Sequence, residues 1–146
     1  MKTSKASAVW KGNLKEGTGI MHVDSLSDSF AYNFASRFAN GKNTNPEELI
    51  AAAHSGCFSM ALANMLSENG YEVNSIKTDA EVKINEVEGA FKITDSTLYV
   101  SADINDIDEE EFTKYVDEAK DGCPVSQALS SVKINLHAQL IEQQKV

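Results

Sequence analysis

The sequence predicts an α+β fold in which antiparallel sheets pack around one long buried helix, and three patterns point to it. Residues 49–66 are apolar nearly all round, interrupted only by His54, Ser55, Ser59 and Asn64, and a helix without a wide polar face is a buried one. Residues 73–84 and 91–104 show partial period-two alternation on either side of Glu88-Gly89, as the arms of a hairpin do. At the end of the chain Val132, Ile134, Leu136, Ala138 and Leu140 alternate with Lys133, Asn135, His137 and Gln139, a strand with one dry and one wet face. The length of 146 residues suits a single domain over 1–146 with a real core.

In chain order, Ala8-Val9-Trp10 and Gly19-Ile20-Met21-His22-Val23 read as short strands separated by a glycine-containing turn, and residues 34–38 (FASRF) as a third. The long helix has clear boundaries. Asn45 is its N-cap, Pro46 occupies the first helical position, and Glu47 and Glu48 sit at the positive end of the dipole. Gly70 is the stop signal. At about 1.5 Å of rise per residue the helix is roughly 35 Å long, about the diameter of a small domain. One small domain cannot easily cover such a helix on every side, and a dimer solves the problem. Residues 108–120 form a shorter acidic-fronted amphipathic helix. Gly122-Cys123-Pro124 breaks the chain before a last helical stretch at 125–130. The acidic runs 106–111 and 117–121 read as solvated helix faces.

The net charge of −9 argues against nucleic acid or an anionic membrane surface as partner, since both demand a basic face. The N-terminal segment MKTSKASAVWKGNLKEG has no apolar h-region, no apolar run is expected to span a bilayer, and a cytoplasmic protein is expected. In a reducing compartment two cysteines are rarely a structural disulfide; they are inert core residues, metal ligands or redox catalysts.

Cys57 lies in the middle of the apolar helix. It is either a small buried hydrophobe or a nucleophile. Burial raises a thiol pKa, so a catalytic Cys57 needs a permanent cation beside it. Arginine suits that role, because it stays charged when partly desolvated. The chain has one arginine, Arg37, which otherwise reads as a surface residue on an edge strand. Cys123 precedes a proline at a helix start, where unpaired amides favour a thiolate, or else it merely ends a turn. The two cysteines have no CxxC spacing. His54 and Cys57, at i and i+3, could join Cys123 around zinc. Cys57 could also serve a cysteine hydrolase with His54 or His137 as base, although His137 falls on the wet face of the last strand. A third possibility is a non-catalytic dimer holding a lipid or acyl chain.

The segment Asn45-Pro-Glu-Glu-Leu-Ile-Ala-Ala-Ala-His-Ser-Gly-Cys-Phe-Ser-Met-Ala-Leu62, with Gly122-Cys-Pro-Val-Ser-Gln127 and Ser36-Arg37-Phe38, closely resembles the OsmC/Ohr family, the osmotically inducible protein C and organic hydroperoxide resistance proteins. The Cys-Pro-Val-Ser run looks like the OsmC branch. The resemblance implies an OsmC-like fold and a peroxidase that detoxifies organic hydroperoxides, and hydrogen peroxide less well, in oxidative or osmotic stress. It implies Cys57 as the peroxidatic cysteine, Cys123 as its resolving disulfide partner, Arg37 as the activating cation and Glu47 as the carboxylate that orients Arg37. It implies no metal or bound cofactor, and a dithiol reductant of the dihydrolipoyl type.

Glu47 and Cys57 are ten residues apart on one helix, about 15 Å along its axis, which no glutamate side chain spans. A Glu47 that belongs to the Cys57 site must therefore come from a second subunit. Two antiparallel copies of the helix crossing near Ala51, Ala52 and Ala53 would supply it, so an intertwined symmetric homodimer is expected.

Overall fold

The computed structural model describes residues 1–141; the last five residues of the expected 1–146 domain lie outside the described residues. The described chain falls into two compact units, Met1–Leu49 and a second beginning at Ile50.

The first unit is a three-stranded antiparallel meander, β1 (Ala6–Lys11), β2 (Thr18–Val23) and β3 (Ser29–Tyr32), in the order β1-β2-β3. Trp10, Gly19 and Tyr32 line up across the strands, and the Trp10 and Tyr32 rings meet with centroids 5.4 Å apart. A methyl group on Gly19 would fall 2.5 Å from the Tyr32 ring, so only glycine lets the two aromatics close over β2. The third strand is not at 34–38 as expected. Asn33 and Ser36 instead form a capping box: the Ser36 amide donates to Asn33 Oδ1 at 2.8 Å and the Asn33 amide donates to Ser36 Oγ at 3.0 Å. That reciprocal pair starts helix α1 (Phe34–Phe38) and puts Arg37 in a last helical turn rather than on an edge strand.

Helix α2 (Pro46–Glu68) begins where the sequence placed it, with the Glu48 amide donating to Asn45 Oδ1 at 2.8 Å. It differs from expectation in being buried along one stripe only. Glu47, His54, Phe58, Leu62 and Leu66 are buried, while Ala52, Gly56, Met60 and Asn64 are exposed. Each exposed residue is two positions from a buried one, some 200° around a helix with 3.6 residues per turn. Apart from Asn64 the exposed positions just named are apolar, and Met60 is 76% exposed. The expectation that no apolar run is long enough to span a bilayer also fails, because α2 has the length and composition to do so. In this chain one side of it supplies core.

The second unit pairs β4 (Val73–Val87) with β5 (Ala90–Ile104) in a long antiparallel hairpin. Its two-residue turn is Glu88-Gly89, with φ of 52° and 81°, the left-handed pair that matches the twist of adjoining strands. The final strand, β6 (Lys133–Leu140), runs parallel to β5 and not antiparallel. The chain reaches it through α3 (Glu109–Gly122) and α4 (Pro124–Ala128), the helical crossover that a parallel pair requires. On β5 the alternate residues Ser96, Leu98, Val100, Ala102 and Ile104 are buried. The last four form one core with Phe58, Leu62 and Leu66 of α2 and with Phe112, Tyr115, Val116 and Ala119 of α3. The architecture is α+β, with helices on one face of the sheet.

Leu62 is fully buried at the centre of that cluster. Leu62→Ala should lower the unfolding free energy by about 2–5 kcal/mol, read from the urea midpoint. A loss below about 1 kcal/mol would mean that the α2 stripe does not anchor the core.

Candidate active site

Two groups of side chains carry chemistry, one in each unit. In the second unit the Sγ atoms of Cys57 and Cys123 share a hydrogen bond at 2.8 Å, and both cysteines are free thiols. Cys57 is held by α2 and is half-buried. Cys123 is fully buried in the joint between two helices. Its amide closes α3 on the Ala119 carbonyl at 3.0 Å, and its own carbonyl accepts from Gln127 at 3.1 Å. Its extended backbone (φ −66°, ψ 121°) is the conformation that a following proline imposes, so Pro124 helps fix the direction of the thiol.

The two thiols are not equivalent. Burial pushes the Cys57 thiol up, the hydrogen bond to Cys123 adds to this, and the Val125 amide offsets part of it. Burial acts in the same sense on Cys123. There it is outweighed by the hydrogen bond shared with Cys57 and by the nearby polar groups of Ser126 and Val125, and this thiol is held below its ordinary value. Within this unit Cys123 is the stronger acid.

Beside the thiols lies a buried polar chain. His54 has no exposed surface; its Nδ1 is 2.7 Å from Ser96 Oγ and its Nε2 is 2.8 Å from Ser126 Oγ. Burial lowers its pKa and keeps the imidazole neutral. With both nitrogens engaged by hydroxyls, His54 has no lone pair left for zinc and is not hydrogen-bonded to Cys57 as a hydrolase base. His137 is exposed on β6, as expected, and stacks on Tyr99 with centroids 5.2 Å apart.

In the first unit Arg37 and Glu47 form a charged pair. Arg37 Nη2 donates to Glu47 Oε1 at 2.8 Å, and Nε donates to Oε1 and Oε2 at 3.1 and 3.3 Å. Glu47 is 5% exposed. A carboxylate so far from water needs a charge-assisted partner, and the planar guanidinium supplies one. Glu48, its neighbour, is exposed; its carboxylate accepts from the Thr44 hydroxyl and its amide closes the Asn45-capped turn. The Arg37 guanidinium also lies 5.2 Å above the Phe38 ring. It lines a cavity of about 410 Å³ together with Trp10, Leu14, Tyr32, Phe34 and Phe38.

The four site residues expected from sequence thus appear as two pairs, Cys57 with Cys123 and Arg37 with Glu47. The sequence reading missed Ser96, Ser126 and the aromatic cavity. Ser126 lies in the Cys-Pro-Val-Ser run, and Ser96 is a polar residue in the buried register of β5; both signals were visible. The cavity was hidden because residues 34–38 read as a strand.

Residues 39–137 match the family described as OsmC-like protein. The chain belongs to that family. Within it, the OsmC branch is the nearer one. The chain is 43% identical over 137 residues to peroxiredoxin OsmC of Escherichia coli (strain K12), covering 93% of this chain and 95% of that protein. It is 30% identical over 138 residues to organic hydroperoxide resistance protein-like 1 of Staphylococcus epidermidis, covering 90% and 89% of the two chains. Among solved structures, that of the organic hydroperoxide resistance protein OhrB of Bacillus subtilis aligns with a TM-score of 0.73 at 28% identity, covering 92% of this chain and 98% of the other. The mixed α+β architecture is therefore that of the OsmC-like family.

The buried neutral His54 makes stability fall in acid. Its folded pKa is depressed, so its contribution is present above the ordinary histidine pKa of about 6.5. It is lost as pH falls through the folded pKa, because only the unfolded chain takes up the proton in that window. Urea unfolding measured from about pH 7 down to 5 should show an uptake of up to about one proton on unfolding that His54→Gln abolishes. An identical pH slope in the variant would contradict a neutral buried imidazole.

Proposed function

We propose that this chain is a cytoplasmic cysteine-based peroxidase that reduces organic hydroperoxides to alcohols, with hydrogen peroxide a poorer substrate, in defence against oxidative or osmotic stress. The observation that carries the reading is the 2.8 Å approach of the Cys57 and Cys123 sulfurs, one half-buried and one sealed in the core. A disulfide bond is about 2.05 Å long, so a shift of under roughly 1 Å joins them. The relatives named peroxiredoxin OsmC and organic hydroperoxide resistance protein support the same chemistry.

In the proposed cycle the Cys57 thiolate attacks the distal oxygen of the hydroperoxide. The O–O bond breaks, the leaving alkoxide takes a proton and departs as the alcohol, and Cys57 becomes a sulfenic acid. Cys123 then attacks the Cys57 sulfur; the S–O bond breaks and the hydroxyl leaves as water with the Cys123 proton. The resulting disulfide protects Cys57 from further oxidation, and an external dithiol, of the dihydrolipoyl type, reduces it by exchange. No step calls for a metal or a bound cofactor.

Because burial holds Cys57 protonated within its own unit, the cycle needs a cation, and Arg37 is the sole guanidinium in the chain. Glu47 keeps that guanidinium side-on through Nε and Nη2, which leaves Nη1 for thiolate or peroxide oxygen. The aromatic cavity beside Arg37 suits the organic part of the substrate. The spacing of Glu47 and Cys57 on α2, about 15 Å of rise, means that a guanidinium clasped by Glu47 serves the Cys57 of a second copy. The exposed face of α2 suits that partner: an added methyl on Gly56 would meet nothing within 4 Å in this chain, and Ala52 and Met60 lie open on either side. The active form on this reading is an intertwined, symmetric homodimer with two shared sites.

Stopped-flow mixing of the reduced protein with cumene hydroperoxide, followed by mass spectrometry, should show thiol loss and a Cys57–Cys123 bridge. Cys57→Ser should abolish turnover with the fold intact, whereas Cys123→Ser should allow one oxidation per site and then stall. Normal peroxidase activity in Cys57→Ser would end the reading. The shared site has its own test. Equal amounts of Cys57→Ser and Arg37→Met, each inactive alone, should on subunit exchange recover about a quarter of the wild-type activity, since half the dimers are mixed and each has one complete site. No recovery in dimers proved to be mixed would place Arg37 and Cys57 of a site on one chain.

A further inference from the structure

The cycle above leaves the buried Ser96–His54–Ser126 chain without a role, and its place in the fold supplies one. His54 on α2 lies three residues before Cys57, and Ser126 on α4 lies three residues after Cys123. His54 Nε2 is 2.8 Å from Ser126 Oγ, and Cys57 Sγ is 2.8 Å from Cys123 Sγ. The two contacts are therefore neighbouring rungs between the same two stretches of chain, about one helical turn apart along α2. On the proposed cycle the sulfur rung is made and broken at every turnover, while the imidazole rung persists. The other side of the ring is fixed as well. Its Nδ1 is 2.7 Å from Ser96 Oγ, and Ser96 lies on the central strand β5, paired with β4 on one side and β6 on the other.

α4 needs such a tie. It has five residues, and Cys123 gives it no side-chain cap; so short a helix has no stability of its own. Val125 packs against the core, but apolar contact is non-directional and does not fix the register of a single turn. Gln127 donates to the Asp121 carbonyl at 3.4 Å, which lies in the chain just before α4. The Ser126 bond instead reaches the helix that carries Cys57, between two buried side chains. Register decides the outcome here. Closing the sulfurs from 2.8 Å to a disulfide is a movement of under roughly 1 Å. A slide of α4 by one residue's rise is about 1.5 Å, more than the whole of that movement.

We propose that His54, anchored by Ser96, clamps Ser126 and so holds the start of α4, and Cys123 with it, at closing distance from Cys57. His54, Ser96 and Ser126 are positioning residues, which act through the backbone of α4 and give no proton to the reaction. The inference rests on the peroxidase reading and adds to it a cause for rapid closure. When the S–S bond forms, the S–O bond of the sulfenic acid breaks and water leaves with the Cys123 proton, while α4 stays in place. The clamp is self-enforcing, since moving α4 away would strand buried polar groups on His54 and Ser126 without partners.

The equilibrium between dithiol and disulfide reads the clamp directly, because it depends on the effective concentration of one sulfur at the other. It is measured in graded dithiothreitol buffers, without peroxide. Ser126→Ala should make the disulfide about tenfold easier to reduce, a rise of about 30 mV for this two-electron couple. His54→Leu, which leaves the Ser126 hydroxyl in place, should shift it in the same direction. Ser126→Thr keeps the hydroxyl, and His54→Gln offers an amide to both serines; both should stay near the wild-type potential. Rapid-quench trapping with cumene hydroperoxide should show closure slowed about tenfold in Ser126→Ala, with sulfenic acid formation at Cys57 unchanged. Leu62→Ala controls for general loosening: it weakens the packing of the same helix, leaves the clamp intact and should keep the wild-type potential. A wild-type potential in Ser126→Ala or His54→Leu, or an equal rise in Leu62→Ala, would overturn the inference. A bridge that forms in the dithiothreitol buffers but not with hydroperoxide would instead remove the peroxidase reading, and the potentials of the variants would still judge the clamp.

Discussion

A thiol enclosed by apolar side chains is a poor acid, and the second unit is organised around that constraint. α2 makes it unavoidable, because the helix that supplies Phe58, Leu62 and Leu66 to the core also carries Cys57 one position before Phe58. Two answers to the constraint are visible. Burial raises Cys123 too, but its hydrogen bond with Cys57, helped by the neutral polar groups of Ser126 and Val125, holds it below its ordinary value without bringing a charge into the interior. Cys57 receives little of this kind and is raised. A sulfur raised by burial stays idle unless a cation is brought to it, so the proposed chemistry at Cys57 depends on the arginine, while Cys123 is prepared by its own surroundings.

The Arg37–Glu47 pair is costly to bury and specific in what it yields. Glu47 without its partner would be an unpaired carboxylate with almost no access to water. Arg37 without Glu47 would be a long flexible side chain free to sample many rotamers. Joined at three donor–acceptor contacts, the pair becomes a fixed cation whose remaining N–H edge has a defined direction. The fixation is local in origin. The Asn33–Ser36 capping box starts α1, the Asn45 side chain holds the Ser36 carbonyl at 2.7 Å, and the same Asn45 caps α2 just before Glu47. A single asparagine thus ties the helix that carries the arginine to the helix that carries its carboxylate.

Much of this was legible in the residues. Asn45-Pro46, the turn at Glu88-Gly89, the long helix and the alternation along the last strand all act through local physics, and each lies close to where the pattern puts it. The readings that failed depended on non-local partners. Whether β6 runs parallel or antiparallel to β5 is set by the helical crossover between them, which strand periodicity does not record. Residues 34–38 read as a short strand, but the preceding Asn33 and the Ser36 hydroxyl start a helix there, and the two aromatics at i and i+4 suit that helix. The burial of α2 was overstated because an all-apolar helix does not announce which side its own chain will cover. The pairing of Cys57 with Cys123 came from resemblance alone; their spacing of 66 residues brings no geometry with it. Ser96 was the most readable of the omissions, since a hydroxyl in the buried register of a strand demands a partner and His54 was the unexplained polar residue of the helix.

On the proposed cycle, the difference in burial between the two sulfurs also determines how the disulfide is reopened. An external dithiol must strike one sulfur and expel the other. Cys123 has no exposed surface, whereas Cys57 is half-buried, so attack falls on Cys57 and Cys123 is the leaving group. Exchange is faster when the departing thiol is the stronger acid. The surroundings that hold the Cys123 thiol below its ordinary value therefore favour its expulsion by the reductant. A sealed resolving cysteine is usually a hindrance to recycling. Here the seal gives direction, because it leaves the reductant the same sulfur that meets the peroxide.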